Sequence, residues 1–372
     1  MPQQTEFESR SDWVALHLIH GLGSRSMQRL LDLFGRPDAV FRASMKELRS
    51  MGRLREDVAR RIRRRIFSTD PERELHRVEQ LGARILTFRD AAYPVALRQI
   101  RTPPMVLYVK GRHLPVHQDQ VAVVGSRSPT PYGVKTAGNL ATGLGCSGIG
   151  VVSGMARGID AAAHWGALDT DGGTVAVLGT GIDRVYPRSN RKLFERIVER
   201  GAVVTEFPLG TPPEGRNFPI RNRIISGLSQ GVVVVEAAQR SGSLITASLA
   251  LDQGRDVLAV PGSVRSFKSR GCHFLLKQGA ALAESAEDIV ETLGLRPCIT
   301  ASASDSEGAR PSRVALDPEE ARVTALLGDD PVHIDHIVRE ARIAPSRVLG
   351  ILTKMELKGL VEQLPGKFFV RA

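Results

Sequence analysis

Three turns of the chain combine glycine with hydroxyl or cationic side chains in a way that can hold an anion. The first is Gly125-Ser126-Arg127, which follows the apolar run VAVV and leads through Ser128-Pro129-Thr130-Pro131-Tyr132-Gly133 into a helix near Val134. Glycine lets the backbone approach an anion, a helix start offers free N–H groups and partial positive charge, and Arg127 can fork onto phosphate oxygens. The second turn is Ser153-Gly154-Met155-Ala156-Arg157-Gly158-Ile159-Asp160, and the third is Arg240-Ser241-Gly242-Ser243 ahead of a helix from Leu244. The densest group of cations beside an aromatic ring is Arg216-Asn217-Phe218-Pro219-Ile220-Arg221-Asn222-Arg223. Guanidinium groups seek phosphates and an unpaired base stacks on a ring, so this group suits single-stranded nucleic acid. The alternative is that Phe218 anchors a loop in the core while the arginines pair with Glu206 and Glu214; the flanking turns favour nucleic acid.

Enzymatic patterns are harder to assemble. G-S-R is not G-x-G-x-x-G, and no acidic residue closes the next strand to hold a ribose, which disfavours dinucleotide binding. Asp160, in a first helical turn, reads as a dipole partner or a ligand for a neighbouring arginine, and His164 on its alanine-rich helix reads as a structural histidine. Glu236, at the end of VVVVE, is in place to polarise a ribose or a water. It lacks a second carboxylate in a recognisable motif, a metal cluster, a Ser-His-Asp ordering or a P-loop. We therefore expect no catalytic residue, no metal and no cofactor.

Charge points the same way. The 372 residues carry 51 Lys and Arg against 40 Asp and Glu, a net +11. By segment the balance is +4 over 1–72, +8 over 73–300 and zero over 313–372. A polyanion is the natural partner, met mainly by the middle of the chain. Cys146, Cys272 and Cys298 are odd in number and widely spaced, indicating neither a disulfide framework nor a zinc site. No run approaches the roughly 20 apolar residues that span a bilayer, and MPQQTEFESR lacks a signal core, so a cytoplasmic protein without membrane contact is expected.

The elements that must position these residues follow from periodicity. Residues 1–72 read as a small all-α module broken by Gly21, Gly23, Gly35 and Gly52, and HLIHGLGSRSMQRLLDLFG looks like a helix-hairpin-helix or sterile-alpha-motif-like unit. Its run Arg60, Arg61, Arg63, Arg64 and Arg65 reads as a solvated helix face. Over 73–298, VLYV, VAVVG, GVVSG, VAVLGTG, VVTEF, VVVVEAA and VLAVPG alternate with helical stretches. Their continuous apolar character predicts a parallel sheet covered on both faces, an extended Rossmann-like doubly wound α/β domain whose ligands sit at the carboxyl ends of the strands. Residues 299–312 are small and polar and read as a linker. Three helices and two short strands around Pro365-Gly366 then describe a winged helix over 313–372. Its zero charge favours a protein-contacting or accessory role over duplex regulation.

The blocks VAVVGSR, SGMARGIDAAAHWGAL, VLGTGIDRVYPRSNRKLFERI, TEFPLGTPP, NFPIRNRIISGLS, VVVVEAAQRSGSLITASLAL and VLAVPGS, in this order, closely resemble the DNA-processing protein A family, DprA or Smf. The resemblance is dense from Tyr93 to Ile289. It implies a non-enzymatic protein of natural transformation that binds and protects incoming single-stranded DNA and loads a RecA-type recombinase, as a homodimer through the Rossmann-like domain. Carried onto this chain, the family's DNA pocket falls on Gly125, Ser126 and Arg127, the Ser153 to Asp160 turn, Phe218 to Arg223 and Ser241 to Ser243. Two departures stand out: Asn217 replaces a histidine before Phe-Pro, and Gly271-Cys272-His273-Phe274-Leu275-Leu276 replaces a G-x-N-x-L-I block in what looks like the dimer surface. The rival readings are a nucleotide-processing enzyme of the nucleoside-monophosphate glycosidase type, whose PGGxGTxxE signature is missing here, and a winged-helix regulator of duplex DNA.

Overall fold

The computed structural model describes residues 10–112, 114, 119–296, 317–328, 332–357, 361–364 and 366–371. The expected linker over 299–312, together with Cys298, lies outside the described residues. The chain divides into two compact units, Met1–Ile299 and Thr300–Ala372.

The first unit opens with six helices, α1 (Arg10–His17), α2 (Ser24–Phe34), α3 (Pro37–Arg42), α4 (Met45–Ser50), α5 (Glu56–Arg63) and α6 (Pro71–Gln80). There follow β1 (Ala83–Thr87), α7 (Val95–Arg98), β2 (Val106–Gly111), β3 (Gln120–Gly125), α8 (Pro131–Cys146), β4 (Gly150–Ser153), α9 (Ile159–Ala167), β5 (Thr174–Val177) and α10 (Arg191–Arg200). The unit closes with β6 (Ala202–Thr205), α11 (Asn217–Gly227), β7 (Gly231–Val235), α12 (Gly242–Asp252), β8 (Asp256–Ala259), α13 (Arg270–Lys277), β9 (Ala281–Leu282) and α14 (Ala286–Thr292).

These strands form one sheet in the order β1-β2-β6-β5-β4-β3-β7-β8-β9. From β6 to β9 every pairing is parallel. Chain order reverses between β3 and β7, so this doubly wound sheet has its topological switch point there. VLYV was expected within a parallel sheet, but β2 pairs antiparallel with both β1 and β6. A strand buried on both faces shows the same unbroken apolar run whichever way its neighbours point, and β2 is buried through Val109.

Alternate residues feed opposite cores, as the two-residue period of a strand requires. Val121, Val123, Val233 and Val235 pack under α8, α9 and α14, whereas Ala122, Val124, Val232 and Val234 pack under α11, α12 and α13. The N-terminal helices do not stand apart from the sheet. Trp13, Leu16, Leu30 and Ile62 share one continuous core with Ile85, Tyr108, Ala176 and Val203.

The second unit holds α15 (Pro318–Ala325), β10 (Val332–His333), α16 (Ile334–Ala341), α17 (Pro345–Leu357), β11 (Val361–Leu364) and β12 (Phe368–Arg371). Its strands order β10-β12-β11, all antiparallel, over a core that includes Val323, Ile337, Leu352 and Phe369. This is a winged helix with one strand, β10, more than the sequence suggests; two residues are too short for a periodic signal.

Candidate nucleic-acid interface

A cleft of about 610 Å³ opens at the carboxyl ends of β3 and β7, at the switch point. Its walls contain Gly125, Ser126, Arg127, Phe218, Arg221, Asn222, Ser241, Gly242 and Ser243, contributed by three segments far apart in sequence. The β3 turn can lie this close to β7 only without a side chain, because a Cβ on Gly125 would overlap the Val235 carbonyl oxygen. Ser241 caps α12 by accepting a hydrogen bond from the Ser243 N–H, and exposed Gly242 begins the helix, so α12 presents its positive end to the cleft.

Two side chains define the mouth. Arg127 is exposed and its guanidinium carbon lies 5.3 Å from the centroid of the Phe218 ring. Phe218 rests on Gly179, where a Cβ would come within 2.9 Å of the ring, and meets Tyr186 at 5.7 Å between centroids and 40° between planes. Tyr186 also lines the cleft and is 41% exposed, so two rings and a cation share one opening. Our reading of the sequence passed over Tyr186, although Arg184 and Arg188 flank it in the same cation-and-ring pattern seen around Phe218.

Arg221 is a wall rather than a mouth. It is buried, donates to the Val177 carbonyl oxygen at 2.6 Å, and lies 5.9 Å from the Phe218 centroid. Burial lowers its pKa to about 10, partly opposed by Asp160. Asp160, buried in the first turn of α9, has its pKa raised by burial and lowered mainly by Arg221; it accepts from the Ala156 N–H at 3.3 Å. Arg221 is thus the main cation acting on it, and both side chains line the cleft. A Cβ on Gly154 would overlap the Arg221 guanidinium. Gly154→Ala should therefore cost about 1–3 kcal/mol of stability by overpacking, read as a lower midpoint in urea denaturation.

Several expected contacts lie elsewhere. Arg223 forms a buried ion pair with Glu206 and bonds Ser24 Oγ at 3.4 Å, outside the cleft. Arg216, exposed, pairs with Glu214 at 2.6 Å. Those two pairings are the ones the core-anchoring alternative foresaw. Ser153 is fully buried and donates to the Val123 carbonyl oxygen at 2.6 Å, tying β4 to β3. Asn217 is buried and donates to the Pro212 carbonyl oxygen at 3.2 Å, while Arg157 is exposed outside the cleft lining.

The positive end of α8 is not free either. Glu236 accepts from the Thr130 N–H at 2.8 Å and from the Thr130 hydroxyl, one carboxylate oxygen to each. A carboxylate so engaged, one residue past the end of β7, closes the helix start. His164 Nδ1 lies 2.7 Å from Thr174 Oγ1, and burial pushes its pKa down to about 3, so it acts as a neutral structural group.

Residues 84–294 match the family described as DNA recombination-mediator protein A, and residues 307–367 match the DprA winged helix domain. This chain belongs to the DNA recombination-mediator protein A family. Among similar members, Protein Smf of Synechocystis is 33% identical over 96% of this chain and 98% of its own length. The DNA processing protein DprA of Streptococcus pneumoniae is 44% identical over 54% of this chain and 71% of its own. The X-ray structure of S. pneumoniae DprA covers 75% of this chain and 95% of that one, with 35% identity and a TM-score of 0.66. DNA processing protein A of Helicobacter pylori, whose structure was described for its single-stranded DNA binding mode, covers 57% of this chain and 95% of that one, with 29% identity and a TM-score of 0.52.

Proposed function

We propose that this protein binds incoming single-stranded DNA in the β3–β7 cleft, protects it, and loads a RecA-type recombinase onto it during natural transformation in the cytoplasm, without catalytic turnover. The observation that carries this reading is the Arg127 guanidinium over the Phe218 ring, with Tyr186 beside it, at the mouth of a cleft that α12 enters by its positive end. Phosphate needs the cation, an unpaired base needs a π-face, and neither demands a particular sequence. The family membership and the single-stranded DNA binding mode described for the H. pylori relative support the same reading.

Dimerisation through the sheet domain belongs to this proposal. Phe274 on α13 and Leu282 on the edge strand β9 are 51% and 46% exposed, an apolar pair at the end of the sheet. Among the described residues no helix is long and apolar enough to cross a membrane.

The test is a fluorescence-anisotropy titration of oligo-dT and of an unstructured mixed-sequence strand, each about 30 nucleotides, across a salt series. The expected result is affinity that falls steeply with salt, with a log–log slope of about −2 or steeper, and that differs less than about tenfold between the two strands. Salt-independent binding would sink the reading. So would release of base from nucleoside monophosphates that disappears in Glu236→Gln, which would make the protein a nucleotide-processing enzyme.

A further inference from the structure

The N-terminal helices carry a charge surplus that the cleft does not use. Residues 10–66 hold fourteen Lys and Arg against six Asp and Glu. Part of that surplus is structural: Arg63 donates to the carbonyl oxygens of Phe41 and Arg42 at 3.3 Å each, and Arg65 covers the Phe41 ring at 4.9 Å. Four of the others gather on one surface. Arg49 and Arg60 share Glu56, at 3.5 and 2.8 Å, and Arg55 and Arg61 share Asp57, at 3.9 and 3.6 Å. Four guanidiniums around two carboxylates leave a net positive surface, and Arg49, Arg55 and Arg60 are each more than half exposed.

That surface borders the turn between α1 and α2. Arg61 donates to the His20 carbonyl oxygen at 2.8 Å, and a Cβ on Gly21 would come within 3.5 Å of the Arg61 guanidinium and 4.0 Å of the Arg55 guanidinium. Exposed Arg25 follows in the first turn of α2. No side chain caps α2, so its first N–H groups add to the field of the arginines.

Its chemistry differs from that of the cleft in one decisive respect. Among the described residues the exposed large apolar side chains of this module are Leu33, Met51 and Ile66; none is Phe, Tyr or Trp, and the exposed ring beside the arginines is the small, polar imidazole of His20. A surface with cations and backbone donors but no exposed Phe, Tyr or Trp neutralises phosphates and offers little on which to stack a base. We infer that the α1–α2 turn and its arginine cluster form a second nucleic-acid surface, which grips the phosphate backbone of duplex DNA independently of sequence. Ser24, at the start of α2, donates to Glu206 at 3.1 Å, and Glu206 holds Arg223 of α11, the helix that carries Phe218. The α1–α2 turn is therefore tied to the helix that carries Phe218 through Ser24, Glu206 and Arg223.

The experiment titrates the full chain with a closed-end DNA dumbbell, which presents duplex without frayed strands, and with oligo-dT, across salt. Arg25→Ala, Arg55→Ala and Arg60→Ala are combined in one variant. These side chains are exposed and their ion pairs lie at the surface, where such pairs contribute little to folding; an unchanged melting temperature checks this. The expected result is duplex affinity at least about tenfold weaker with a salt slope shallower by about 2–3, while oligo-dT affinity stays within about twofold. Unchanged duplex affinity overturns the inference. Parallel loss of both ligands also overturns it, as does a wild-type protein that fails to bind the dumbbell at low salt.

Discussion

Replacing Arg127 with alanine and Phe218 with leucine together should weaken oligo-dT binding by about a hundredfold or more. A base stacked on an aromatic ring contributes about 1–3 kcal/mol, and loss of a charged phosphate contact adds a comparable amount; a hundredfold corresponds to about 2.7 kcal/mol. Leucine keeps an apolar group against Gly179 while removing the π-face, so the loss reports stacking more than packing. Because the guanidinium sits over the ring, each single substitution also loosens the other group. The two losses should therefore sum to more than the double variant shows, which a double-mutant cycle measures. Arg127 is exposed, so Arg127→Ala should leave the melting temperature within a few degrees. A double variant that binds within about threefold of wild type would remove the central support for the cleft as a strand-binding site.

Arg223→Met should give the opposite pattern, a large loss of stability with little change in strand affinity per folded molecule. Glu206 is buried, and burial raises its pKa while Arg223 is the largest influence holding it down. Removing the cation leaves a buried carboxylate unpaired, a change that costs about 3–5 kcal/mol in comparable cases. The pH dependence carries a definite sign. With Arg223 gone, the folded-state pKa of Glu206 rises further above its ordinary 4.5, so the folded protein holds a proton that the unfolded chain releases. Stability of the variant relative to wild type should then fall as pH rises from about 4.5 towards neutrality and recover as pH is lowered. Chemical denaturation of both proteins at several pH values checks this. A pH-independent difference, or loss of strand binding with unchanged stability, would return Arg223 to the role of a phosphate ligand.

These two arginines show where sequence reading succeeds and where it stops. The sheet, its crossover helices and the winged helix were legible because each carries a local signal: unbroken β-branched runs, helical periodicity and glycine turns. The carboxyl-end rule then placed Gly125, Ser126, Arg127 and the Ser241 turn at one rim, and the cleft contains them. Arg127, Arg221 and Arg223 look equivalent in sequence. On α11, however, neighbouring positions point in different directions, so Arg221 enters the wall beside Asp160 and Arg223 turns to Glu206. Likewise Glu236 and Ser153 read as potential ligands until Thr130 and the Val123 carbonyl are found bonded to them.

Residue types and order thus determined the class of fold, the edge of the sheet at which the cleft opens and the net positive charge of the chain, because these depend on periodicity and summed charge. Only the tertiary structure decided which cations remain free. A guanidinium is available to phosphate when no carboxylate or carbonyl from a distant segment has already engaged it, and those partners lie as far away as Val177 from Arg221 or Ser24 from Arg223. Pairing of this kind is a property of three-dimensional neighbours, and spacing along the chain carries no trace of it.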